Sequence, residues 1–335
     1  MNKKYLKWLF SVLFLLAMLG GAALLSFSTG PAGIPFTDLA DIIRGGRGTV
    51  EYSILLDVRL PRILLGLAVG GALSLAGVIL QGMFRNPLVE PYTLGISGGA
   101  ALAVSVAIVL GLAGALPFLS LQAAGFLGAG AVIILVYTLS ARKGAVKIQQ
   151  MLLTGVMISF ISSSLIMLVM ALSETHDLHA IIYWMMGSLQ QAEKGLIYGA
   201  AGVSFIGLLI SYMFCGDLNA FSLGEEEAVH LGVNVERTKK ILFVLSAVLT
   251  GLAVSVAGVI GFVGLVVPHI LRLIVGGDHR ILLISSFLAG GVFLVFCDML
   301  ARMVISPLEL PVGVITGIIG GVIFIYALSK RQVRI

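Results

Sequence analysis

Few side chains in this sequence have the types and spacing for chemistry. His176 and His179 stand three apart beside Asp177, and such a pair can hold a metal ion on one helical turn. The same residues also read as solvated groups of a loop outside the membrane. Ser159, Ser162, Ser163 and Ser164 bring four hydroxyls to one segment. Nucleophilic catalysis needs a base beside the hydroxyl, and none lies near in sequence, so these serines read as backbone-bonding or cavity-lining groups. Asp298 and Arg302, four apart, can pair on one helix face. A phosphate cradle needs Gly-Lys-Ser or Gly-Lys-Thr after a glycine-rich turn; no Gly-Lys pair occurs anywhere, so the chain is not expected to hydrolyse ATP itself. Neither His-Glu-x-x-His nor Cys-x-x-Cys is present. Cys215 and Cys297 lie far apart, in or beside apolar segments, and suggest neither a disulfide framework nor a metal site.

The densest polar stretch is 215–240. Ser222-Leu-Gly-Glu225 matches a capping box. Glu225, Glu226 and Glu227 fall in the first helical turn, where negative charge suits the helix dipole. Ala228 and Leu231 can share an apolar face, and Gly232 is placed to end the helix in a left-handed conformation. Asn234 can then cap a second helix leading through Arg237, Lys239 and Lys240. About two turns of helix are marginal alone in water. This one therefore packs on its own protein as a connector, or serves as a docking helix for a soluble partner.

The elements that carry these residues are dictated by composition. The chain of 335 residues is 59% hydrophobic and 11% charged, where soluble domains carry about 25% charged residues. Apolar segments recur along the whole length without polar alternation, which excludes a membrane barrel and predicts an all-α polytopic membrane protein. Ten transmembrane helices are expected, at about 8–28, 63–83, 93–111, 118–140, 151–172, 195–214, 241–257, 260–275, 281–297 and 312–329, with an interfacial helix in 173–194. The first reads as a retained span, not a signal peptide. The whole of 1–335 forms a single transmembrane domain, and 215–240 is one of its polar loops. The Gly66/Gly70, Gly95/Gly99 and Gly313/Gly317/Gly321 pairs predict close helix packing.

Lys and Arg in short loops set the orientation. Lys3, Lys4, Lys7, Arg85, Arg142, Lys143, Lys147, Arg237, Lys239, Lys240, Arg272, Arg280, Lys330, Arg331 and Arg334 fall on one side, Arg44, Arg47, Arg59, Arg62, Lys194 and Arg302 on the other. Both termini and the 215–240 loop are thus expected in the cytoplasm. The basic residues sit in short loops and tails, so the net charge of +5 is no nucleic-acid signal. Span interiors are nearly free of ionisable groups, unlike those of ion-coupled transporters. Energy is therefore expected to come from another subunit. Arg59, Arg62 and Arg302 face outward in this topology, either as snorkelling residues or as a patch for a partner's carboxylates.

An ordered series of motifs then resembles a known family. It runs Arg59-Leu-Pro-Arg62, Gly77-Val-Ile-Leu-Gln81-Gly, Asn86-Pro-Leu-Val-Glu-Pro91, Leu94-Gly-Ile-Ser-Gly-Gly-Ala100 and Tyr183-Trp-Met-Met-Gly187. Leu223-Gly-Glu-Glu-Glu-Ala228, Gly261-Phe-Val-Gly-Leu-Val-Val-Pro-His-Ile-Leu-Arg272, Asp278-His-Arg280, Asp298-Met-Leu-Ala-Arg302 and Leu310-Pro-Val-Gly313 follow. The chain resembles the FecCD permeases, membrane subunits of type II ABC importers for iron chelates, haem and vitamin B12.

The resemblance implies a homodimer, or a heterodimer with a close paralogue, in a bacterial or archaeal cytoplasmic membrane. Two ATP-binding subunits lie beneath it, and a periplasmic or lipid-anchored substrate-binding protein docks above. No cofactor belongs to this chain; ATP and Mg sit on the ATPase partner. It also implies that Gly224, Glu225, Glu226, Glu227, Ala228, Leu231 and Gly232 couple to the ATPase, and that Arg59, Arg62 and Arg302 dock the binding protein. Asn86 and Leu88 match one cytoplasmic gate loop, and Ile148 and Gln149 fall where the vitamin B12 branch has a Thr-Ser pair in the other. That departure counts against the family's gate details and a vitamin B12 assignment; the resemblance as a whole implies a ferric siderophore or related metal chelate, with haem or vitamin B12 as alternatives. Outside this class stand an ion-coupled secondary transporter and a non-transporting membrane scaffold.

Overall fold

The computed structural model describes every residue except 1–2, 31–32, 46–47, 113–119, 143–144, 147, 191–192 and 333–335; the side chains of 141–148, 328 and 330–332 also lie outside the description. In chain order the helices are α1 (Lys3–Ser28), α2 (Leu39–Gly45), α3 (Val50–Ser53), α4 (Leu60–Met83), α5 (Ile96–Val109), α6 (Leu121–Ser140), α7 (Ile148–Leu172) and α8 (Thr175–Met185). They continue as α9 (Lys194–Met213), α10 (Cys215–Phe221), α11 (Glu225–His230), α12 (Val235–Ala257), α13 (Val263–Val275), α14 (His279–Met303) and α15 (Val312–Gln332). Ala141–Arg142 and Ala145–Val146 form a two-residue antiparallel ladder between α6 and α7.

α4 is the axis because its sequence has no polar face. Past Arg62 it carries no charge, and a helix apolar all round must be buried. The apolar core of 50–83 is 89% buried, against 11% for α1, which lies at the periphery on α14. Around α4 stand α14, α12, α9 and α13; α5, α6 and α7 form a second group joined to it through α12. Glycines let the central backbones touch. A β-carbon on Gly70 would overlap the carbonyl of Gly290 in α14, and one on Gly77 would overlap that of Gly264 in α13.

Among the described residues, seven helical segments are long and apolar enough to cross a membrane, and α5, α13 and 312–327 are shorter apolar helices at the remaining expected positions. The expected all-α polytopic architecture is therefore the observed one. Two differences are instructive. The helix expected from Asn234 and the span expected from 241 are one element, α12, since nothing between Val235 and Ala257 interrupts it. The 13 residues of α13 rise about 20 Å, short of the roughly 30 Å apolar core of a bilayer. Non-helical backbone at such depth must be covered by protein, and the 258–262 linker is. Ser188 donates its N–H to the Ala257 carbonyl (2.8 Å), while the Val312 and Gly313 N–H groups bond the carbonyls of Gly187 and Met186.

Gly77→Val is expected to cost well over the ~1–3 kcal/mol of ordinary overpacking, because backbone and not a side-chain tip blocks the new atoms. Gly199→Ala, which meets nothing within 4 Å, should leave stability almost unchanged. Thermal unfolding midpoints in detergent compare the two; equal midpoints would refute the α4–α13 contact.

Candidate functional site

At one end of the bundle the three arginines converge. Arg59 closes the wide helical turn Ile54–Arg59, and Arg62, three residues on, shares its face in the first turn of α4. Arg302 comes from the last turn of α14. All three are buried. Arg302 pairs with Asp298 across one turn (Nε to Oδ2, 3.0 Å) and donates to Ser26 Oγ (2.7 Å) and the Thr29 carbonyl (3.2 Å). Arg59 donates to the Phe27 carbonyl. The two guanidinium groups thus satisfy the free carbonyl end of α1, where positive charge also suits the dipole.

Arg62 makes a two-pronged pair with Glu309 (3.2 and 2.7 Å), which also accepts from Gln190. Burial works to raise the Glu309 carboxyl, but Arg62, Gln190 and Arg302 outweigh it and hold the group below the usual carboxylate range. A cavity of about 90 Å³ beside this cluster is walled by Arg302, Asp298 and Glu309. The arginines are therefore neither snorkelling tips nor an open basic surface; each already has an internal partner.

At the other end lies 215–240. The expected capping box does not form: Ser222 ends α10 and bonds back to the Leu218 carbonyl, while Gly224, at φ 138°, precedes α11 without a side-chain cap. Asn234 does cap α12, accepting from the Arg237 N–H (3.1 Å), and Gly232 has the expected left-handed backbone (φ 85°). The three glutamates divide. Glu225 is bound by the buried Lys239 ammonium at 2.5 Å. Glu226 and Glu227 are exposed and form no ion pair among the described residues.

Gly224 and Ala228 face inward, whereas Leu223, Val229 and Leu231 are 58–63% exposed. Ala228 and Leu231 thus do not share one buried face. Thr238 donates to Asp217 (2.9 Å) and ties α12 to α10. Asn219 accepts from the His279 backbone and donates to Asp278, which Lys4 also holds (3.0 Å). Burial opposes ionisation of Asp278, yet these donors and the Arg280 N–H keep its carboxyl below the ordinary range.

The expected gate residues are only partly placed. Asn86 accepts from the Leu88 N–H (3.0 Å) in a tight turn, with Leu88 half exposed. Ile148 opens α7 and Gln149 is exposed; the Ile148 side chain lies outside the described residues, as do Arg47, Lys143, Lys147 and Arg334. His179 Nδ1 lies 2.7 Å from the Thr175 carbonyl, an interaction within its own helix, and no metal-holding group of three His, Cys, Asp or Glu occurs among the described residues.

Sequence reasoning missed a clamp between these ends. Glu90 accepts from the Phe262 N–H (2.7 Å) and Tyr92 OH accepts from the Ile260 N–H (3.2 Å), so the segment after α4 holds the linker between α12 and α13. Phe262 has a left-handed backbone (φ 69°), rare for a side chain of its size. The available signal was a lone carboxylate between Pro87 and Pro91 in a short loop between two spans.

A polytopic helical permease, with a charged cluster at one end and a structured polar segment at the other, is the class this arrangement defines. Comparison with known proteins agrees. The FecCD transport family matches residues 15–330, and the chain belongs to that family. It is 39% identical over 321 residues to the hemin transport system permease of Yersinia pestis, covering 95% of each chain. It is 40% identical over 321 residues to the Fe(3+) dicitrate transport system permease of Escherichia coli K12, covering 96% and 98%. A solved inward-facing structure of an ABC transporter assigned to the metal-chelate type superposes with a TM-score of 0.84 at 31% identity, covering 95% of this chain and 98% of that one. The chain is accordingly an ABC-importer permease, a transport component and not an enzyme.

Arg302→Gln, which strands the buried Asp298, should destabilise by about 3–5 kcal/mol, and Asp298→Asn in the same chain should restore part of the loss. Unchanged unfolding midpoints would disprove the pair. Glu90→Ala, leaving the Phe262 N–H without its acceptor, should cost about 1–3 kcal/mol. Glu90→Gln keeps an acceptor and should lose less; equal losses would count against the clamp.

Proposed function

We propose that the chain is the membrane-spanning permease of an importer that carries an iron chelate, a ferric siderophore, across the cytoplasmic membrane by alternating access. A separate pair of ATPase subunits supplies ATP, Mg and the energy, and this chain contributes no cofactor. The permease works as a homodimer, or with a close paralogue, beneath a periplasmic or lipid-anchored binding protein. The Lys and Arg distribution supports cytoplasmic termini.

The observation that carries this reading is the construction of α11. Its base is pinned by Glu225–Lys239, while Leu223, Val229, Leu231, Glu226 and Glu227 stand exposed on a segment too short to be stable alone. A rigidly held apolar and acidic knob fits a cleft on an ATPase. At the opposite end, a carboxylate of the binding protein would compete with Glu309 for Arg62. Docking and nucleotide act only through different affinities for the outward- and inward-open states. Haem is the second reading of the cargo, favoured by the similarity to a hemin permease. An ion-coupled transporter is disfavoured because the buried carboxylates Asp298 and Glu90 are committed to internal partners.

Reconstituted with its ATPase and binding protein in sealed vesicles, the permease should take up a ferric siderophore only with ATP. Uptake driven by an ion gradient alone would overturn the assignment, and uptake of hemin but not siderophore would move the cargo to the second reading. Replacing Glu226 and Leu231 together by alanine should detach or uncouple the ATPase; Glu225→Gln should loosen α11 without removing its exposed face.

A further inference from the structure

In the arginine cluster the two halves of one ion pair differ in their access to water. The Arg62 side chain is 8% exposed and that of Glu309 29%. Glu309 accepts from both terminal nitrogens of Arg62 and, through Oε2, from Gln190 Nε2. Water can receive the Glu309 carboxylate, so its departure costs little. Arg62 has no such exit; a buried guanidinium stripped of its carboxylate is left uncompensated. The pair therefore opens most readily when another carboxylate replaces Glu309. A cavity of about 90 Å³ beside Glu309 and Gln190 leaves room for one.

Glu309 and Gln190 also stand at the ends of two backbone segments, 309–313 and 186–190, that cross a third. The Val312 and Gly313 N–H groups donate to the Gly187 and Met186 carbonyls (3.2 and 3.1 Å), and Ser188 donates to Ala257 (2.8 Å). The crossing is tight. A β-carbon on Gly258 would overlap the Trp184 carbonyl, and one on Gly313 would overlap that of Met186. From the crossing the linker runs on to Ile260 and Phe262, whose N–H groups Tyr92 and Glu90 hold. Hydrogen-bonded backbone thus joins the Arg62 pair to the clamp after α4.

We propose that Glu309 is a latch: in the free permease it stands in for a partner's carboxylate on Arg62 and, through Gln190, holds 186–190 against 309–313. A binding-protein carboxylate that takes Arg62 releases Glu309 to water, frees Gln190 and loosens the crossing beside the linker. Glu309 is in this sense a positioning residue, and its neutralisation favours docking instead of impairing it. The latch rests on the reading that a binding protein docks on these arginines.

The test uses the full chain in nanodiscs, assembled with its ATPase subunits, and reads two quantities. One is hydrogen exchange at the amides of 186–190 and 310–313; the other is the affinity for the binding protein. Glu309→Gln should speed exchange in both segments before any binding protein is added. It should also tighten docking about three- to fivefold, the worth of a partly exposed resident competitor. Gln190→Ala, at an exposed residue, keeps the test open should Glu309→Gln not fold; it should speed exchange at 186–190 and tighten docking less. A purely structural ion pair would loosen the chain without any gain in affinity. Docking unchanged or weakened in Glu309→Gln, while Arg62→Gln weakens it in the same assay, would therefore overturn the latch. Unchanged exchange in Glu309→Gln would overturn it as well. Docking that Arg62→Gln leaves intact would instead overturn the docking reading, and with it the trigger of the latch, even where exchange rises in Glu309→Gln.

Discussion

Contact between helix backbones at Gly70–Gly290 and Gly77–Gly264 is the constraint on which the rest of the molecule depends. Lipid is as apolar as leucine, so burial from water does not drive helices together inside the bilayer; close packing does. Those glycines set how near α14 and α13 approach α4, and α4 is continuous from Arg62 to Gln81. The charged cluster at one end and the polar segment at the other are thereby held on one rod.

Charge in this chain is used to join elements. Arg302 and Arg59 tie α14 and α4 to the end of α1, Glu225–Lys239 ties α11 to α12, and Asp278 gathers α1 and α10 at the start of α14. α12 is a further link between the ends. It starts against α11 and finishes at the linker that Glu90 and Tyr92 grip. A displacement of 215–240 has a continuous helix through which to reach the segment after α4.

What could be read from the sequence was what depends on neighbours along the chain. Apolar lengths placed the helices, Asn234 and Gly232 took their expected roles, and the four-residue spacing of Asp298 and Arg302 foretold their pair. Ser222 failed as a cap because Gly224 adopts a backbone that ends one helix and begins another between Ser222 and the N–H groups it would have met. The partners of Arg62, Glu90 and Glu225 were invisible for another reason. Arg62 and Glu309 are 247 positions apart, Glu90 and Phe262 172, and only the packed bundle brings them together. The glutamates of 215–240 looked equivalent as a run, and Lys239 alone separates Glu225 from the other two.

The shortness of α13 also bears on how the protein is made. Thirteen residues with Pro268 inside and Arg272 in the last turn form a poor independent insertion signal. Such a segment enters the bilayer alongside a neighbour, and the surface it needs is the Gly77 face of α4. Synthesis from the N-terminus puts α4 in the membrane nearly two hundred residues before α13 emerges. The order of the chain thus lets its least hydrophobically self-sufficient segment arrive after its berth has been built.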